Sequence, residues 1–123
     1  MPTPLNRPTF SSPTSLPRYK FAFTVPTTHL APCKAAVFSA GAGAHPNSTY
    51  KNVCFETSGI GHFIPTEGAH PDIGQVGKAE AVEETRVEVM CVGGEVVKKA
   101  ILELKKAHPY EECTYDIFKM EDF

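Results

Sequence analysis

Five histidines, fourteen carboxylates and four thiols are the groups in this chain that could carry acid–base, metal or nucleophilic chemistry. Imidazole with carboxylate suits zinc, copper or a similar divalent ion. His62, His70, His108 and Glu111 are the candidate ligands for such a metal, with Cys54, Glu67 and Glu112 able to join them. No two of them stand at a recognised ligand spacing, so one chain alone makes a poor site and a site shared between subunits is the better metal reading. In His108-Pro109-Tyr110-Glu111-Glu112 the proline breaks the helix that would align ligands on one face. The plain alternative is that Pro109 ends a helix, Tyr110 packs, and Glu111 and Glu112 face solvent or pair with a nearby lysine or arginine.

The thiols Cys33, Cys54, Cys91 and Cys113 are 21, 37 and 22 residues apart, which leaves no C-x-x-C pair for a structural zinc. A cysteine nucleophile needs a base and an orienting group beside it. Cys54 and Cys113 fall on expected strands, where a thiol is ordinarily a packing residue. There is no serine elbow and no phosphate-binding P-loop, so the balance leans away from an enzyme.

Gly59–Lys78 is the most informative segment, with five glycines and two prolines in twenty residues. Glycine lets the backbone approach a ligand closely, and exposed amides there could hold an anion. Gly59, Gly61, His62, Phe63, Gly74, Lys78 and Arg86 are the candidate ligand-binding residues. Lys78 and Arg86 would add positive charge and Phe63 a stacking face. Equally, the glycines could simply let the segment fold against a neighbouring subunit.

These groups need a scaffold. Tyr19, Phe21, Phe23 and Val25 alternate along a first strand that Pro26 ends. Thr27 or Thr28 is expected to cap a helix running to about Ala40, with Leu30, Cys33, Val37 and Ala40 on one stripe and Gly41 and Gly43 as its stop. Val53–Thr57 reads as a second strand, followed by the glycine-rich segment, inside which His62–Pro65 could pair back. Val82–Val92 is a third strand, with Val87, Val89 and Cys91 facing one way and Arg86, Glu88 and Met90 the other. Glu95–Ala107 is the clearest helix, its stripe made by Val97, Ala100, Ile101, Leu104 and Ala107. Thr114–Met120 is the last strand. The order β-α-β-β-α-β predicts an α+β, ferredoxin-like antiparallel sheet with two helices on one face. The other face, holding Phe55 and Met90, then needs cover, and another subunit supplies it most simply.

Composition agrees with one domain: 41% of residues are hydrophobic and 21% charged, close to ordinary globular usage. The net charge of −2 offers no footprint for nucleic acid, and no apolar run reaches membrane-span length. The charge is split, with +5 on residues 1–55, which hold no acid, and −7 on residues 56–123. Residues 1–17, with prolines at 2, 4, 8, 13 and 17, read as a disordered tail before a single domain at 18–123. That tail has no apolar signal region, which predicts a cytoplasmic protein with reduced thiols, a mitochondrial one being the alternative.

Three segments together resemble one family. Gly59-Ile60-Gly61-His62-Phe63-Ile64-Pro65 resembles a G-x-G-x-F-x-P signature. Glu67–Lys78 continues it, Val82-Glu83-Glu84-Thr85-Arg86-Val87-Glu88 follows in place, and His108-Pro109-Tyr110-Glu111-Glu112 closes it. This pattern is similar to the inserted domain of the Nif-three-like proteins, the dinuclear-metal-centre family, over about Tyr19 to Met120. That domain in turn is similar to the nitrogen-regulatory PII proteins and to the divalent-ion tolerance protein CutA. The resemblance implies a PII/CutA-like subunit, a homotrimer, and a connection between strands two and three that touches ligands or partner proteins. Full-length relatives hold two metals in a separate domain with histidine-rich motifs, and those motifs are missing here, so the chain looks like the insert standing alone.

The expectation is a non-catalytic trimeric module that binds a small ligand, a divalent metal ion or a protein partner at its subunit clefts. The alternatives are a metal-dependent hydrolase of the full-length kind, or a scaffold or regulatory domain such as the one attached to ATP phosphoribosyltransferases.

Overall fold

Alternating large apolar residues make the first strand, and the rest of the chain is built against it. The computed structural model describes residues 16–123, so most of the expected tail lies outside the described residues. β1 runs Arg18–Pro26, and its Phe21, Phe23 and Val25 are sealed from solvent. The chain is already tied in at Pro17, whose carbonyl accepts the Gly93 N–H at 2.8 Å.

After Pro26 a short 3-10 turn, Thr27–His29, leads into α1, Leu30–Ser39. The threonines do not cap this helix: its N-cap is His29, with no side-chain capping bond. The Thr27 hydroxyl instead hydrogen-bonds that of Thr85 at 3.0 Å, and Thr28 bonds the adjacent His29 ring. The tight turn set up by Pro26 carries both hydroxyls away from the free amides of the first helical turn. Cys33, Val37 and Ala40 are buried as their spacing predicts.

β2 is Phe55–Phe63, which corrects the expected boundaries in both directions. Val53 is held outside the strand by its N–H bond to the Gly43 carbonyl at 3.0 Å. Gly59 to Phe63 form the second half of the strand rather than a loop, paired with Glu84 to Glu80 of β3. Glycine weakens a strand unless close packing demands it, and here it does. A Cβ on Gly61 would lie 2.4 Å from the Glu84 carboxyl carbon.

β3 spans Glu80–Val92, α2 Gly94–Ala107 and β4 Tyr115–Met120. All neighbouring strands are antiparallel and the order across the sheet is β2-β3-β1-β4. Phe21 lies opposite Val89 and Phe23 opposite Val87. These residues, with Cys33 and Val37 of α1 and Val97, Ala100 and Leu104 of α2, form the core under the two helices. At roughly 25 cal/mol per Å² of apolar area, each of these large side chains contributes about 1.5–3 kcal/mol.

Among the described residues the opposite sheet face is covered by no helix or strand. Phe55, Thr57, Gly59 and Gly61 of β2 align there with Glu88, Arg86, Glu84 and Val82 of β3. Phe55 is 67% exposed and Phe118 51%.

Candidate ligand cleft on the open sheet face

The site is assembled from the end of α2 inward. The helix runs out at Ala107, and the His108 N–H closes its last turn on the Leu104 carbonyl at 2.8 Å. Pro109 then prevents continuation. His108 is buried and uses both ring nitrogens: Nε2 donates to the Thr24 carbonyl of β1 at 2.8 Å, while Nδ1 accepts the Tyr110 backbone N–H at 3.1 Å. That tautomer is neutral, and burial holds the ring below its usual pKa against the opposing effect of the Thr24 carbonyl.

The turn so fixed delivers Tyr110 to the open face. Its ring lies against His108 at 5.1 Å between centroids and edge-on to Phe63 at 5.6 Å. Its hydroxyl donates to Glu84 Oε2 at 3.0 Å. Burial first, and then this bond to a carboxylate, push the phenol pKa upward. Glu84 is 8% exposed, lying across the bare backbone of Gly61. A relay therefore runs from the β1 backbone through His108 and Tyr110 to a buried carboxylate.

Around Glu84 opens a cleft of about 540 Å³. Gly59 and Gly61 form one wall, Phe63 and Tyr110 another, and Thr57 and Arg86 lie along the sheet. Asp72 reaches it from the long connection between β2 and β3, and Glu111 and Glu112 from the segment after α2. Those two segments are clasped together, because the His70 N–H donates to Glu111 Oε1 at 2.8 Å.

Five of the seven expected ligand residues, Gly59, Gly61, His62, Phe63 and Arg86, line this cleft. Gly74 and Lys78 do not. Gly74 turns the connection at φ +91° beside Glu80. Arg86 Nε donates to Glu88 Oε2 at 3.2 Å, and Lys20 lies 3.5 Å from the other Glu88 oxygen. The Arg86 bond is the main reason the Glu88 carboxyl is held below its ordinary range. Of the four expected metal ligands, His70 and Glu111 meet only through a backbone bond, His62 is exposed on β2, and His108 is turned inward. Among the described residues no three His, Cys, Asp or Glu side chains are placed to hold a metal ion.

Glu84 and Tyr110 are the pair that sequence reasoning passed over. Glu84 looks like one solvated acid among several in β3. Only the register, which sets it opposite Gly59 and beside Gly61, reveals the gap it fills.

The thiols sit elsewhere. Cys33 and Cys91 are fully buried, and burial pushes each to about 11, so neither is a thiolate at neutral pH. Among the described residues no helix is long and apolar enough to cross a membrane.

Known proteins match this chain strongly. A Bacillus subtilis protein named GTP cyclohydrolase 1 type 2 homolog is 41% identical over 115 residues, 93% of this chain and 29% of its own length. The crystal structure of a Bacillus cereus protein related to NIF3 superposes with a TM-score of 0.72 at 33% identity, covering 87% of this chain and 26% of that one. The divalent ion tolerance protein CutA1 from Ehrlichia chaffeensis has a TM-score of 0.57 at 7% identity, over 88% of this chain and 85% of its own, a likeness of fold alone. No family model matches. The chain thus spans little more than a quarter of the two longer relatives. With the strand order, the two helices on one face and the sequence match all in agreement, the chain is similar over most of its length to about a quarter of the Nif-three-like (NIF3-related) proteins, and its α+β fold is CutA-like.

Proposed function

We propose that this domain is a binding module rather than a catalyst, which assembles as a trimer and takes a small ligand or partner group in the cleft beside β2. The cleft carries the reading: its volume lies within the usual few-hundred to about 1,000 Å³ of small-molecule sites, and it joins an apolar wall to a few converging polar groups. Of the groups that could serve catalysis, His108 and the two fully buried thiols are otherwise engaged. His108 has both nitrogens bonded, and the buried thiols are protonated. A general base needs a free lone pair within reach of the substrate proton.

Assembly is supported by the open sheet face. Phe55 and Phe118 stand exposed on it, and exposed apolar surface of this kind marks an interaction site. Size-exclusion chromatography with light scattering is expected to give three times the chain mass, and Phe55→Asp is expected to shift it toward monomer. A wild-type monomer at working concentration refutes the assembly. Thermal shift against nucleotides, amines and anions tests the ligand. If no member of any class moves the melting temperature, the cleft is not a ligand site.

A second reading rests on the name of the Bacillus subtilis relative, GTP cyclohydrolase 1 type 2 homolog: the domain would serve an enzyme of that kind as scaffold or regulatory part. GTP turnover by this chain alone would overturn the non-catalytic reading.

A further inference from the structure

The turn after α2 ties three elements together through one imidazole. His108 is buried, its Nε2 donating to the Thr24 carbonyl of β1 at 2.8 Å and its Nδ1 accepting the Tyr110 N–H at 3.1 Å. A carbonyl only accepts and a backbone N–H only donates, so both bonds exist together only while the ring is neutral. With both nitrogens bonded inside the chain, His108 is no metal ligand. The next residues depend on that ring. Tyr110 lies against it, packs T-shaped with Phe63 and sends its hydroxyl to Glu84 on the cleft wall. Glu111 Oε1 takes the His70 N–H at 2.8 Å and so clasps the β2–β3 connection. Pro109 between them has a fixed φ and no N–H, which leaves the turn few other ways to close.

We propose that the turn at residues 108–112 is a proton-operated latch on the cleft: a proton added at His108 Nδ1 expels the Tyr110 N–H and frees the clasp that holds the β2–β3 connection. The step takes one proton from solvent and converts imidazole to imidazolium, so Nδ1 becomes a donor facing a donor. The buried ring then loses a bond and gains a charge, and it leaves its place together with Tyr110 and Glu111. The groups facing the ring set where this happens. Burial opposes the proton most, and His29 of the short turn before α1 opposes it too, while the Thr24 carbonyl, Glu84 of β3 and Asp72 of the connection favour it. The balance holds the ring below 6.5, so the latch is closed above 6.5 and opens as pH falls from there toward the lowered value. Across that window the open population rises by up to about tenfold per pH unit. The latch works whether or not the cleft holds a ligand.

Amide hydrogen exchange of the full chain tests this, read by NMR from about pH 7.5 down to about 5 with each rate corrected for its intrinsic pH dependence. The Tyr110 and His70 amides are expected to lose protection together, several-fold, in step with the titration of the His108 ring. Low urea is expected to leave both rates unchanged, because a local opening exposes little surface. His108→Gln, which keeps a donor and an acceptor but does not titrate, is expected to abolish the pH response. Glu111→Ala, at the surface, is expected to remove the His70 protection at every pH and to leave the Tyr110 response intact. Circular dichroism confirms that the variants fold, and if His108→Gln does not, the parent chain and Glu111→Ala still decide. Four results each overturn the latch: protection that stays constant through the His108 titration, a His108 that titrates at or above 6.5, exchange at Tyr110 and His70 that rises with urea as steeply as at the core amides of Val89 and Cys91, or a pH response that His108→Gln retains.

Discussion

Gly61→Ala is the sharpest perturbation the structure offers, because one methyl group meets one carboxylate. The added Cβ would lie 2.4 Å from Glu84 Cδ and 2.5 and 2.6 Å from its oxygens. The side chain can swing away only by giving up the Tyr110 hydroxyl at 3.0 Å and its buried place. Losing a hydrogen bond to a charged group costs about 1.5–3 kcal/mol. Replacing glycine by alanine inside a strand returns roughly 0.5–1 kcal/mol. The net expectation is a loss of about 1–2 kcal/mol, or roughly 3–8 °C in Tm for a domain of this size. Calorimetry at fixed protein concentration measures it, since assembly makes Tm depend on concentration. In a Glu84→Ala background the clash disappears, and Gly61→Ala should become neutral or slightly stabilising, a coupling of about 1.5–3 kcal/mol. Gly59→Ala, with nothing within 4 Å of its Cβ, should be neutral to mildly stabilising in either background. Equal losses from Gly61→Ala with and without Glu84, or a rise in Tm in the parent, would refute the placement of Glu84 and the relay built on it.

Acid should unfold the domain partly through His108. Its pKa is lowered in the fold, so the unfolded imidazole takes up a proton near 6.5 while the folded one stays neutral. Its contribution is therefore complete above 6.5 and falls as pH drops from there toward the lowered folded value. Urea midpoints should decline across that window, and His108→Phe, though less stable throughout, should show a shallower decline; an unchanged acid limb would assign the effect to other groups. Gly43→Ala should cost about 2–5 kcal/mol in urea unfolding, because left-handed φ and overpacking add. Its φ is +80°, and its Cβ would meet the Val53 carbonyl oxygen at 2.9 Å and the Phe38 ring at 3.0 Å. Gly68→Ala, at φ +95° in open space, should cost only about 1–2 kcal/mol, and a reversal of that order would contradict the way residues 41–54 fold back on β3.

Much of the architecture is legible in residue order. Tyr19–Val25 and Val87–Cys91 alternate with period two and pair as central strands. The Val97–Leu104 stripe has helical period and covers them. Local periodicity carries this because burial on one face is a property of each segment by itself. The helix start after Pro26 is not legible in residue order, because the Thr85 hydroxyl that engages Thr27 lies 58 residues away.

The pattern of side chains along the chain thus determined four strands, two helices, a helix-covered core and a bare second face, and the joint motifs from Gly59 to Glu112 pointed to the family. Tertiary structure alone decided that Gly59–Phe63 is strand, that His108 turns inward, and that a buried carboxylate stands over a glycine. The physical reason is register. A glycine's place in a strand, and the cost of a buried charge, depend on what the neighbouring strand sets opposite, and that pairing joins residues far apart along the chain.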